Sequence, residues 1–133
     1  MFSITISGRP VTMMRARVTK NGAYYKPKMK EAMMQVEEQI KCAMILQDHT
    51  VIQSACKVTI TAVYQRPQKL GSGNRVIKHT APDVDNVAKF YLDCLNRVKD
   101  FWTDDRLCAD LKVTKFYGAD YEKPNTTLTV EVI

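Results

Sequence analysis

Between Pro82 and Val98 the apolar residues Val84, Val87, Tyr91, Cys94, Leu95 and Val98 recur on a 3.6-residue period, with Asp85, Lys89, Asp93 and Asn96 on the opposite side. A strand cannot carry that pattern, so an amphipathic helix is predicted here. Pro82 cannot continue a preceding helix and suits a helix start, and Asp83 or Asp85 can cap the free N–H groups of the first turn. Outside this helix the period falls to two. Cys56, Val58, Ile60, Ala62 and Tyr64 alternate with Lys57, Thr59 and Thr61 before it, and Leu107, Ala109, Leu111 and Val113 alternate after it.

The same reading extends to both ends. Phe2, Ile4 and Ile6 alternate with polar residues as a first strand, and Leu128, Val130 and Val132 mark a last one beyond a turn region at 117–125. Pro27 opens another helix, whose Met29, Met33, Val36, Ile40 and Met44 line one face and which ends near 47–50. The order is β-α-β-α-β-β. In 133 residues, 45% of them hydrophobic, this is read as α/β: a single small domain over residues 1–133, a mixed sheet of about four strands with two helices packed on it. Strand order does not follow from the pattern, and the edge strands are places where a second subunit could pair.

Carboxylates gather around the central helix. Asp83, Asp85, Asp93, Asp100, Asp104, Asp105 and Asp110 make up half of the 14 acids in the chain. Short carboxylates in such a run, within a basic chain, point to hard-cation chemistry. A capped helix with an Asp85–Lys89–Asp93 series of i,i+4 ion pairs would account for part of the pattern. It does not account for Asp104-Asp105 after the aromatic pair Phe101-Trp102. The helix rises roughly 20 Å from Asp85 to Val98, and the chain from Val98 to Asp105 spans at most about 23–25 Å when extended. Asp105 can therefore return to the helix start along a nearly straight connection held by Phe101 and Trp102, or Asp104 or Asp105 can sit beside Asp93, halfway along.

The run Pro82-Asp83-Val84-Asp85-Asn86, with Lys89, Asp93 and Leu95, then Trp102 and Asp104-Asp105, resembles the signature of the RusA family of Holliday-junction resolvases. Gly8-Arg9-Pro10-Val11, Arg15-Ala16-Arg17 and Asn21-Gly22-Ala23-Tyr24 resemble the N-terminal arm of its members, so the likeness spans nearly the whole chain. The resemblance implies a homodimeric, Mg²⁺-dependent endodeoxyribonuclease, with Mn²⁺ as a substitute, that nicks opposing strands of four-way DNA junctions in recombination and repair and leaves 5′-phosphate and 3′-hydroxyl ends. The family's metal-binding acids match Asp83, Asp85 and Asp105, and its essential lysine matches Lys89. Asp93 would hold Lys89, and Asp104 is the alternative ligand. One departure is plain: many members follow the acidic pair with a small residue and then Gln-Val, where this chain has Arg106-Leu107-Cys108.

Charge points the same way. The net charge of +6 favours a polyanionic partner over an acidic small molecule. Residues 9–30 hold Arg9, Arg15, Arg17, Lys20, Lys26, Lys28 and Lys30 without an acid, interleaved with Tyr24 and Tyr25. Cations meet phosphates and rings stack on unpaired bases, so this segment reads as a nucleic-acid arm. A second basic stretch, 65–81, reads as a mobile loop with Arg66, Lys69, Arg75 and Lys78 leading straight into Asp83. No run is long enough for a membrane span and no signal peptide opens the chain, so a cytoplasmic protein of a bacterial or phage-infected cell is expected, with no membrane partner and no small-molecule substrate. Cys42, Cys56, Cys94 and Cys108 lack C-x-x-C spacing and are expected as reduced core thiols. Two other functions compete with the nuclease: a non-catalytic module that binds branched DNA, and a metal-dependent transferase using Asp-x-Asp, for whose nucleotide-binding domain the chain lacks room.

Overall fold

The alternating run from Cys56 to Tyr64 becomes the strand around which the rest is assembled. The computed structural model describes residues 1–14 and 17–133. In chain order the elements are β1 (Phe2–Ser7), β2 (Arg17–Thr19), β3 (Gly22–Tyr24), α1 (Pro27–Leu46), β4 (Cys56–Tyr64), β5 (Val76–Ile77), α2 (Val84–Arg97), β6 (Cys108–Tyr117) and β7 (Asn125–Val132). Short 3₁₀ turns lie at Gln68–Leu70 and Asp105–Leu107.

The main sheet has the order β1-β7-β4-β6-β5. β7 pairs antiparallel with both β1 and β4, and β5 pairs antiparallel with the end of β6. β4 and β6 run parallel over their full length, from Cys56↔Cys108 to Tyr64↔Tyr117. A parallel pair needs a crossover, and α2 provides it. The start of α2 therefore lies at the carboxyl ends of β4 and β6, and its end lies near the beginning of β6.

Both helices cover one face of the sheet. Cys56, Val58, Ile60 and Ala62 of β4 are wholly buried there, in one core with Met33 and Ile40 of α1, Tyr91 and Leu95 of α2, and Leu128 and Val130 of β7. The Val, Ile, Leu and Met side chains among them each contribute about 1.5–3 kcal/mol by leaving water. On the other face, hydroxyls pair across β1 and β7, Thr5 with Thr127 at 3.1 Å and Ser3 with Thr129 at 3.4 Å. The expected α/β class holds, with a mixed sheet and two helices on it.

The details depart from expectation in four places. The fifth strand is β5, only two residues long and too short to show a period. The basic arm contains a hairpin, β2–β3, whose Thr19↔Gly22 pairing closes around Lys20-Asn21 with Gly22 at φ +112°, a region that glycine enters without steric cost. The loop at 65–81 is cross-tied: Arg66 donates to the carbonyls of Gly71 (2.6 Å), Asn74 (2.8 Å) and Gly118 (3.1 Å). Cys42, expected in the core, is exposed on the outer side of α1, while Cys56 and Cys94 are buried.

Candidate metal and nucleic-acid site

The start of α2 projects beyond the core. Asp83 precedes the helix at φ −71°, ψ 144°, and its carbonyl accepts the Val87 N–H at 3.2 Å, but its side chain caps nothing. Asp83, Val84, Asp85 and Asn86 are all exposed. Val84, expected in the apolar stripe, is 44% exposed, because burial begins one turn later at Val87. Phe90 takes a place in the core that the stripe omitted. Among the described residues, neither Asp83 nor Asp85 has a hydrogen-bond or ion-pair partner for its carboxylate.

Three residues, Tyr91, Met13 and Lys115, fix this helix start. The Tyr91 hydroxyl accepts the Val11 N–H at 2.9 Å and shares a hydrogen bond with Thr126 at 3.1 Å. The Met13 N–H donates to the Asn86 carbonyl at 3.1 Å, so residues 11–13 run alongside the first turns. Lys115, a buried lysine of β6, donates through Nζ to the carbonyls of Thr80 and Pro82. Sequence reading passed over Lys115. Its signal was a lone lysine in phase with Val113 and Tyr117 on the core-facing side of a strand.

Lys89, one turn on, stands on the exposed side with Nζ 3.3 Å from Asp93 Oδ2. This is half of the expected series of pairs; an Asp85–Lys89 partner is absent among the described residues. The surviving pair is exposed and contributes about 0.3–0.5 kcal/mol.

The acidic pair reaches the helix lower down. Phe101 and Trp102 are buried, and the Trp102 indole N–H donates to Asn96 Oδ1 at 3.0 Å. They hold the connection against the end of α2, while the Thr103 N–H donates to Ile52 O. Asp104 accepts the backbone N–H of Arg106 at 2.9 Å and its Nε at 3.0 Å. The first of these contacts, together with a hydrogen bond to Asp105, holds the Asp104 carboxyl below the usual range. Asp105 is raised, chiefly by that same hydrogen bond to Asp104 and then by slight burial and the negative charges of Asp104 and Asp93. Asp93, whose charge contributes to that shift, lies about 12 Å along the helix from Asp85 at 1.5 Å per residue. Asp104 and Asp105 interact with each other, and Asp83 and Asp85 stand at the helix start.

The donors at the helix start suit a hard divalent cation: exposed carboxylate oxygens with no other partner. Among the described residues, no three His, Cys, Asp or Glu side chains stand close enough to hold a metal between them. Magnesium does not require such a cage, since it commonly takes one or two carboxylates and completes its shell with water and substrate phosphate.

The basic residues divide into two groups. Arg66 holds its own loop, and Arg75 forms a two-point pair with Glu122, Nε to Oε1 at 3.0 Å and Nη2 to Oε2. Arg9, Lys20, Tyr24 and Lys69 are exposed, and Lys26 and Lys78 are half-buried. Arg15 and the side chain of Arg17 lie outside the described residues. No helix is long and apolar enough to cross a membrane.

No curated protein matches the sequence. The family model of endodeoxyribonuclease RusA does, over residues 7–131, which includes both the arm and the acidic run; the chain belongs to the RusA endodeoxyribonuclease family.

Proposed function

We propose that the protein is an Mg²⁺-dependent endonuclease that resolves four-way DNA junctions by paired nicks in opposing strands, acting as a homodimer. Membership of the RusA endodeoxyribonuclease family supports DNA hydrolysis. The observation that carries the metal dependence is at the helix start, where two nearby carboxylates in a basic chain have no partner among the described residues. An uncompensated pair of negative charges repels a phosphate unless a cation intervenes.

In this reading Asp83 and Asp85 hold the ion, and Asp105 joins them on the family pattern. The bound ion supplies Lewis-acid polarisation of the scissile phosphate and lowers the pKa of an attacking water. Lys89 lies on the exposed side one turn from Asp85, where its ammonium offsets charge that develops on the phosphate. Asp93 restrains that ammonium at 3.3 Å. Lys115 positions Asp83 by tying the segment before it to β6.

The test is incubation of purified protein with labelled four-way junction, duplex and single strand, with and without Mg²⁺. Symmetrical cleavage of the junction in Mg²⁺ alone is expected. Junction binding without cleavage under both conditions would reduce the protein to a binding module.

A further inference from the structure

Residues 118–124 turn the chain from β6 into β7, at the end of the sheet where α2 starts. Their backbone is tied to other segments. The Gly118 N–H donates to the Tyr64 carbonyl at 2.9 Å, the Asp120 N–H to the Gly73 carbonyl at 3.1 Å, and the Pro124 carbonyl accepts the Gly8 N–H at 3.0 Å. Within the turn, the Glu122 N–H donates to the Ala119 carbonyl at 3.1 Å and the Ala119 N–H to Glu122 Oε1 at 2.9 Å. The turn is thus fixed between the root of the basic arm, where Arg9 follows Gly8, and the basic loop at 65–81.

Tyr121 stands in this turn and is 103% exposed, so its ring packs on nothing among the described residues. Its backbone is left-handed, at φ 62°. Asp48 and Asp100 share that region, which short polar side chains enter at little cost but which is an outlier for a bulky one. Such strain persists where the surroundings hold it, and here they do. A ring that costs backbone strain and buries nothing within the chain points to a partner outside it.

The charges around the ring define that partner. Asp120 and Glu122 flank it, and both are taken up within the chain. Asp120 Oδ2 accepts the Gly73 N–H at 3.0 Å and Oδ1 lies 4.0 Å from Arg66 Nε, while Glu122 pairs with Arg75. Lys123 and Arg9 remain exposed. An aromatic face among cations suits a nucleic acid, whose bases stack on the ring while its phosphates meet the charges. The acidic site is at the same end: the Tyr117 hydroxyl lies 3.3 Å from Thr80 Oγ1, three residues before Asp83. The four residues from Tyr117 to Tyr121 span at most about 14 Å, well short of one duplex turn of roughly 34–36 Å.

We propose that Tyr121 is a stacking platform for a base face that the four-way junction leaves without a stacked neighbour at its branch point. The assignment to DNA rests on the nuclease reading. Arg66 and Arg75 then serve the same contact indirectly, by holding the turn and neutralising the acids beside the ring.

The test is binding in EDTA, where no cleavage occurs, to four-way junction, single strand and a duplex capped by hairpins at both ends. Tyr121→Asn removes the ring and suits the left-handed backbone, so the free protein should melt at the same or a higher temperature. It should bind junction and single strand about tenfold more weakly, as for loss of one base–aromatic stack, and capped duplex as wild type does, since that duplex offers no free base face. Tyr121→Phe keeps the ring and should bind all three as wild type does. The slope of log affinity against log salt should be unchanged in both variants, because no phosphate contact is removed. Wild-type junction affinity in Tyr121→Asn overturns the proposal, and so does an equal loss on all three DNAs. A defect in Tyr121→Phe as large as in Tyr121→Asn assigns the effect to the hydroxyl and overturns it too. So does a change of oligomeric state in Tyr121→Asn, read by sedimentation, since that gives the ring to a second copy of the chain. A wild-type protein that binds junction but never cuts it in Mg²⁺ overturns the nuclease reading instead, and ring-dependent binding still supports the platform.

Discussion

The start of α2 and the turn between β6 and β7 both carry acids in a basic chain, and they treat them in opposite ways. In the turn, Glu122 takes the Arg75 guanidinium, the Ala119 N–H at 2.9 Å and the Asn125 amide at 3.4 Å. Its carboxyl is held down at about 2, first by the Arg75 hydrogen bond. At the helix start, Asp83 and Asp85 have no such partners among the described residues, although a capping role was open to Asp83. Charge that serves the fold is paired within the chain. In the proposed function, the charge left unpaired at the helix start is there to meet a cation that arrives from outside.

That contrast breaks most sharply at the unpaired acids. Asp83→Asn or Asp85→Asn should abolish junction cleavage while leaving stability within about 0.5 kcal/mol of wild type, as for surface changes without a structural partner. Asp105→Asn should likewise stop cleavage. Junction binding should persist or tighten in all three, because a repulsion between carboxylate and phosphate is removed. Single-turnover cleavage, thermal melting and binding without metal measure these together. Near-wild-type cleavage in one of the variants removes that residue from the metal site.

Lys89 tests the boundary between the two kinds of charge. Its pair with Asp93 contributes only a few tenths of a kcal/mol. If its ammonium faces the reacting phosphate, Lys89→Ala should slow cleavage on the order of 10²–10³-fold, as for loss of one oxyanion donor. Lys89→Arg keeps the charge with different reach and should retain partial activity. Asp93→Asn, which frees the ammonium without removing it, should cost less, about 10–100-fold. An Ala variant that melts normally and cuts within threefold of wild type would return Lys89 to a purely structural role.

Much of this scaffold was legible because period reports burial. Alternation in β4 and the 3.6-residue stripe in α2 placed both elements correctly, and the residues they bury are those that repeat. The stripe failed at its ends for a physical reason: Val84 fits the period but has no layer beneath it, and Phe90 lies on a buried arc wider than a single stripe. β5 was illegible because two residues cannot show a period. The positions of charged side chains were less readable still. Spacing allowed Asp105 to meet either the helix start or Asp93, and the choice depends on how Phe101 and Trp102 pack. Arg66 and Arg75 looked like DNA contacts from charge alone, whereas three carbonyls bind one and Glu122 binds the other. Lys115 escaped because an inward lysine is rare, and its partners are backbone carbonyls with no sequence signature.

The smallest effect belongs to the fully paired acid. Glu122→Gln keeps the side-chain shape but removes the charge that Arg75 meets. The folded carboxyl titrates at about 2 against an ordinary 4.5. A depressed acid adds stability that is complete above the unfolded value and is lost as pH falls through the folded one. Wild type should therefore lose this contribution progressively from about 4.5 down to about 2, whereas the Gln variant should lack it throughout. The difference between the two proteins should be largest at neutral pH and shrink on acidification. Arg75 is 41% exposed, so solvent screens the pair and about 1 kcal/mol is the upper size expected. Denaturant melts of both proteins across that pH range measure it, with Asp83→Asn as a comparison at neutral pH. If Glu122→Gln and wild type have superimposable pH profiles, or if Asp83→Asn shows the larger change in stability, the division between paired and unpaired acids does not hold.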